Sequence, residues 1–163
     1  MIVILALLII MSSISARRIL KDFKVLETEK SHLYKAKPHE DNIYHWRGYL
    51  LPPDDSMYLG YIIPFEIIFE DNYPNKPPKV MFPPNLVYHP NFYSDGNICL
   101  DILQNRWSNL YDVRSILLSI ILLLKEPNPD SPANSEAANL FSKNISEFKK
   151  KVREYAFKSW IAQ

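Results

Sequence analysis

The stretch Tyr88-His89-Pro90-Asn91-Phe92-Tyr93-Ser94-Asp95-Gly96-Asn97-Ile98-Cys99-Leu100-Asp101-Ile102-Leu103 contains the one cysteine of this 163-residue chain. A lone thiol cannot close an internal disulfide, and it lacks the companion cysteines of a zinc site. Two readings of Cys99 remain: an apolar filler of the core, or a nucleophile. Free cysteines are most often simply buried. Here, however, the thiol follows a turn-forming Ser-Asp-Gly-Asn run and lies beside polar groups, which favours chemistry.

Outward from that stretch, the composition is that of one globular domain: 47% hydrophobic, 13% aromatic and 23% charged. A net charge of +1 gives no field to draw the chain to nucleic acid or an anionic surface. Thirteen prolines against three glycines imply rigid, extended loops. The first eleven residues, Met1 to Met11, are wholly apolar. As a helix they would reach about 16 Å against roughly 30 Å of bilayer hydrocarbon, too short to span alone. They read as an upstream extension or as a targeting segment, since Ser13-Ile14-Ser15 offers small residues for cleavage but no basic region precedes the run. We therefore divide the chain into this segment, residues 1–11, and one folded domain, residues 12–163.

Upstream of the cysteine, Ile19, Leu20, Phe23 and Leu26 recur at helical spacing, which predicts an amphipathic helix from Ala16 to Lys30. Four strands are expected at 33–37, 43–51, 61–69 and 79–82. Pro64 cannot donate to a ladder and should face an edge or a bulge. Downstream, Asp112 reads as the N-cap of a helix to about Lys125, apolar nearly all round and so expected to be the buried core helix. Ser135 is expected to cap a short helix through Phe141, and Ser146 to start a last one reaching about Trp160. Phe23, Phe65, Phe69 and Trp107 read as core. Lys149-Lys150-Lys151 reads as a solvated helix face, because no aromatics interleave it. Sequential strands with short connections, followed by helices, imply an antiparallel meander with segregated helices, an α+β fold.

His89-Pro90-Asn91 with the cysteine eight residues on, Trp107, the Tyr73-Pro74-Asn75-Lys76-Pro77-Pro78 loop, and Pro127-Asn128-Pro129 with Pro132 together resemble a ubiquitin-conjugating enzyme over nearly the whole chain. Ala16-Arg17-Arg18, the run from Cys99 to Trp107 and Ser131-Pro132-Ala133-Asn134 are most similar to the branch linked to DNA-damage tolerance and histone ubiquitination. The resemblance implies the four-stranded ubiquitin-conjugating fold. It also implies that Cys99 accepts ubiquitin as a thioester from the activating enzyme and passes it to a substrate lysine. No bound cofactor or metal is implied; ATP is used upstream, by the activating enzyme.

The incoming thioester is already activated, so no Cys-His pair is required, and the barrier is one of positioning and charge stabilisation. Asn91 is the candidate oxyanion donor; alternatively, its side chain only ties down its loop. For His89 the resemblance implies a bracing role rather than a general base, and Pro90 fixes the backbone between the two. Asp101 could orient the lysine and help to deprotonate it, or be a surface charge. Tyr93 and Ser131 would line the lysine's approach. Many relatives carry an acidic residue where Ser131 stands, so fixed-charge assistance is reduced here unless Ser131 is phosphorylated. Arg17, Arg18 and Lys21, with Asn75, Asn109 and Leu110, map by resemblance to the surface that meets the activating enzyme and a RING-type ligase. Asn75 replaces a phenylalanine common in ligase-promiscuous members, which narrows ligase choice. The resemblance places the protein in cytoplasm and nucleus, or at a membrane if residues 1–10 act as an anchor. A conjugating enzyme for another ubiquitin-like modifier and a non-catalytic scaffold of the same fold are the competing expectations. A redox enzyme fits less well because no second cysteine serves as a resolving thiol, and a thiol protease because the resemblance gives the nearby His89 a structural role.

Overall fold

A computed structural model describes residues 13–161, with side chains described through residue 156. The apolar run 1–11, and with it the choice between extension and targeting segment, lies outside the described residues. Helix α1 (Ile14–Glu29) leads into strands β1 (Tyr34–His39), β2 (Asn42–Leu50), β3 (Ile63–Ile68) and β4 (Lys79–Met81). A long irregular segment with one short 3-10 turn (Asp101–Leu103) follows, then α2 (Val113–Lys125), α3 (Ser135–Lys143) and α4 (Ile145–Ile161). The four strands form one antiparallel sheet in sequence order, the expected meander.

Local chemistry explains the boundaries. The Ser13 hydroxyl accepts from the Ala16 amide to open α1, and Lys30 closes it in the left-handed region at φ 50°. Asp112 caps α2 by accepting from the Ser115 amide at 2.8 Å and the Ser115 hydroxyl at 2.7 Å. Two expected caps move by one or two residues. Asn134, not Ser135, accepts from the Ala137 amide. Asn144 caps α4 through the Glu147 amide, ahead of Ser146. In both cases an asparagine, whose carbonyl reaches the N3 amide, stands one or two places before the serine.

Pro64 sits where its missing donor does no harm. The Phe69 amide bonds the Tyr44 carbonyl on the β2 side. Ladder alternation then turns the Pro64 nitrogen toward β4. There the last pair is Glu66 with Met81, so nothing waits for a Pro64 donor.

The core lies between the sheet and the helices. Trp46, Phe65, Ile67, Ile116, Leu117, Ile120 and Phe148 are essentially inaccessible. Phe69 is buried as expected, whereas Phe23 and Trp107 are only partly buried at the margin. Helix α2 is less enclosed than its composition suggests: Leu118 and Leu122 face outward, the latter 55% exposed. The spacing of four puts both on one stripe. Of the lysine run, Lys149 and Lys150 are exposed; Lys151 pairs with Glu136 at 2.6 Å and lies over the Tyr88 ring.

Candidate functional site

Residues 91–99 form a narrow antiparallel loop. The Cys99 amide donates to the Asn91 carbonyl at 2.8 Å, Phe92 and Ile98 bridge, and the Tyr93 amide donates to the Asn97 carbonyl at 2.9 Å. The tip needs Asp95 and Gly96. Both oxygens of the Asp95 carboxylate accept from Asn97, one from its amide and one from its side chain, which holds the carboxyl below its ordinary range. Gly96 has φ 90°, and a Cβ there would lie 1.9 Å from the Phe82 carbonyl oxygen. The Phe82 amide in turn donates to the Gly96 carbonyl at 2.9 Å, docking the tip onto the end of β4. Cys99 itself is partly exposed, with its backbone fixed and its thiol unpaired with any other cysteine.

The triplet before this loop is buried and ties three separate segments together. His89 is fully buried; its Nε2 lies 2.9 Å from the Leu123 carbonyl, and its Nδ1 accepts from the Asn91 amide at 2.9 Å. Those partners fix a neutral imidazole that carries its proton on Nε2. Burial pushes its pKa down to about 3, so it takes up no second proton near neutrality. The Pro90 carbonyl accepts from both the Ala133 and Asn134 amides, at 2.8 and 2.9 Å. Asn91 spends its side chain on the opposite loop. Its Oδ1 accepts from the Asn128 amide at 2.9 Å, and its Nδ2 donates to the carbonyls of Asn128 at 2.7 Å and Ser131 at 3.3 Å. Acceptor and donor partners together settle the amide's orientation. In the resting protein both Nδ2 protons are therefore occupied, and Asn91 acts as a clamp.

The remaining approach residues are more open. Tyr93 is 43% exposed and Ser131 is exposed, its carbonyl held by Asn91. The Asp101 carboxylate accepts from the Ile102 amide at 2.8 Å, and its other oxygen lies 3.6 Å from Arg106. It thus accepts from the next amide of its own 3-10 turn and meets a cation, rather than standing alone as a base. Beside the loop lies a hollow of about 380 Å³, whose walls include Lys79, Tyr93, Asp95, Asn97 and Leu103. The larger hollow, about 670 Å³, is elsewhere, over Lys35, Arg47, Tyr49 and Glu66 on the solvent face of the sheet. No group of three metal-ligating side chains occurs among the described residues.

The expected partner surface needs one correction. Arg17, Lys21, Asn75, Asn109 and Leu110 are exposed, Leu110 to 86%. Arg18 is not. Its side chain is only 18% exposed and turns inward, with Nε on Asp22 at 2.8 Å and its two terminal nitrogens on the carbonyls of Asn109 and Tyr111 at 2.7 and 2.5 Å. An acid one turn along α1, with two bare carbonyls opposite, satisfies all three faces of a guanidinium. The sequence shows the Arg18–Asp22 spacing but not the loop carbonyls, which come from residues 91 and 93 positions further on.

Comparison with known proteins agrees with this geometry. The sequence profile described as Ubiquitin-conjugating enzyme matches residues 18–156. The chain is 44% identical over 151 residues to "Ubiquitin-conjugating enzyme E2 3" of Arabidopsis thaliana, covering 93% of this chain and 100% of that protein. It is 45% identical to "Ubiquitin-conjugating enzyme E2 1" of Caenorhabditis elegans, covering 93% of this chain and 78% of that one. It is also 45% identical to "Ubiquitin-conjugating enzyme E2 2" of Fusarium solani, covering 92% and 99%. With the meander, the helical layer and the half-exposed cysteine loop, these matches establish that the chain belongs to the ubiquitin-conjugating enzymes.

Proposed function

We propose that Cys99 is the residue that carries ubiquitin in this enzyme. The observation behind the reading is that the chain's one thiol is partly exposed on a loop whose backbone is fixed on both sides. In the first step the Cys99 thiolate attacks the thioester carbonyl presented by the activating enzyme. A new S–C bond forms, the old one breaks, and the activating enzyme's cysteine leaves as a thiolate. ATP is spent by that enzyme beforehand, and no cofactor of this chain takes part. In the second step a substrate lysine amine attacks the same carbonyl. The C–N bond forms, the Cys99 thiolate departs, and the nitrogen gives up one proton to solvent. The buried, neutral His89 does not accept that proton; it holds the loop.

Asn91 fits a dual role. Its bond to Ser131 is the longer of its two donations, so that N–H is the one that exchanges the Ser131 carbonyl for the developing oxyanion while Asn128 keeps the side chain in place. Asp101, Tyr93 and Ser131 flank the approach, with Asp101 orienting the amine once Arg106 yields. Pro90 sets the loop's path. Arg17, Lys21, Asn75, Asn109 and Leu110 form the face for the activating enzyme and a RING-type ligase, with Arg18 beneath it. We place the enzyme in the branch that serves DNA-damage tolerance and histone ubiquitination, in cytoplasm and nucleus, on the strength of the sequence runs quoted above. No described helix is long and apolar enough to cross a membrane. Deleting residues 1–10 and observing an unchanged location would remove the targeting reading of that segment.

The central test is incubation with activating enzyme, ATP and ubiquitin, followed by gels with and without reductant. A reductant-sensitive adduct that is lost in Cys99→Ala is expected; an adduct that persists in that variant overturns the assignment. Substituting other ubiquitin-like modifiers in the same assay separates the alternative modifier reading, and histone as the lysine donor tests the branch.

A further inference from the structure

Asp22 lies outside the cysteine loop and the exposed face, yet it is only 2% exposed and receives three donors from three segments. Arg18 Nε bonds one oxygen, and the Tyr73 hydroxyl and the Val113 amide bond the other. Around this carboxylate the proposed docking face is cross-braced. Arg18 runs from Asp22 to the carbonyls of Asn109 and Tyr111, on either side of the protruding Leu110. Its guanidinium also lies 5.4 Å from the centre of the Tyr73 ring. Tyr73 opens the proline loop that carries Asn75. That loop is joined in turn to the Leu110 loop by Trp107, whose indole donates to the Pro74 carbonyl at 2.9 Å. Buried charge of this kind is a weak source of stability, because taking both ions out of water offsets their attraction. It is better suited to fixing one arrangement of the segments that it ties.

The structure assigns Asp22 as a positioning residue that preorganises the docking face formed by α1, the proline loop and the Leu110 loop, so that partners meet it already ordered. The assignment rests on the docking face proposed above. Without the carboxylate, Arg18 loses its anchor and the two loops lose their common tie. A partner must then order them on binding, which lowers affinity without altering the cysteine loop.

The test uses the full chain, activating enzyme, ubiquitin and ATP. Thioester formation gives KM and kcat for this chain as substrate of the activating enzyme, and discharge of the purified thioester to free lysine reports the cysteine loop alone. For Asp22→Asn we expect KM to rise about tenfold, with kcat and discharge within about twofold of wild type. Tyr73→Phe, which removes only a hydroxyl, should raise KM about threefold by the same route. An unchanged KM in both variants overturns the inference. So does a fall in discharge that matches the loss in charging, which would mark a general loss of fold. Leu110→Ala and Lys21→Ala run alongside. If neither raises KM, the docking face is wrong; if both do while Asp22→Asn does not, only the role of Asp22 fails.

Discussion

Asn91 and Asn128 are joined by two reciprocal hydrogen bonds: the Asn128 amide donates to Asn91 Oδ1 at 2.9 Å, and Asn91 Nδ2 donates to the Asn128 carbonyl at 2.7 Å. The pairing locks the cysteine loop to the segment that follows α2. Asn91→Ala removes three hydrogen bonds from the buried Asn91 side chain to the exposed residues Asn128 and Ser131, whose freed groups water can reach, so each costs about 0.5–1.5 kcal/mol of stability. If Nδ2 also serves the oxyanion, single-turnover discharge to free lysine falls about 10²–10³-fold. A melting curve and a discharge rate on the same variant separate the two contributions. A discharge rate equal to wild type would confine Asn91 to the clamp.

His89 makes stability depend on pH. In the unfolded chain a histidine binds its proton below about pH 6.5, whereas in the fold burial lowers that value to about 3. Between those limits the unfolded state holds the extra proton. Stability is therefore complete above about pH 6.5 and is lost as pH falls toward 3, by at most about 1.4 kcal/mol per unit from this group. Denaturant melts at pH 7, 6 and 5 should show the decline, and His89→Asn should be less stable at pH 7 yet flatter across the series.

Gly96→Ala places a methyl group against the Phe82 carbonyl and forces a positive φ on a residue that disfavours it. Strain at a left-handed position alone costs about 1 kcal/mol or more, and the tip must lift from β4 to relieve the clash. We expect a lowered Tm and slower thioester formation, measured on the same gel assay. Gly48→Ala, with a Cβ 2.2 Å from the Lys35 carbonyl, should be as damaging to stability through the sheet.

Arg106 and Asp101 give a test of the lysine's approach. Both are exposed, so their pairing at 3.6 Å contributes little to folding, about 0–1 kcal/mol. Arg106→Ala frees the carboxylate and should raise discharge to free lysine, by about twofold to threefold, if Asp101 orients the amine. Asp101→Asn should lower the same rate by about tenfold with the melt nearly unchanged. Equal rates in both variants would leave Asp101 as a surface charge at the start of its turn.

What could be read directly from the residues was local. The α1 spacing of Ile19, Phe23 and Leu26, the Asp112 cap and the four β-rich runs each depend on neighbours a few places away. The strand order followed from short connections alone. The reach of Arg18 and the enclosure of α2 were not legible in this way. Arg18 finds its carbonyls across the fold, and the exposure of Leu118 and Leu122 depends on how much of α2 the sheet covers. The same is true of the site. At positions 89, 91 and 99 the residue types left alternatives that the family resemblance narrowed, and which carbonyl each amide or imidazole meets is a property of tertiary packing.

Pro90 has no amide of its own, and its one carbonyl serves both Ala133 and Asn134. The cysteine loop is thereby stitched to the entrance of α3 at a single atom, while His89 stitches it to the exit of α2. The thiol consequently sits on a seam between the sheet and the helical layer, with sutures on both sides. The reaction proposed for Cys99 then asks for side-chain adjustments rather than for one layer to slide over the other. On the role proposed for Asn91, the working part is as small as one amide N–H that exchanges the Ser131 carbonyl for an oxyanion.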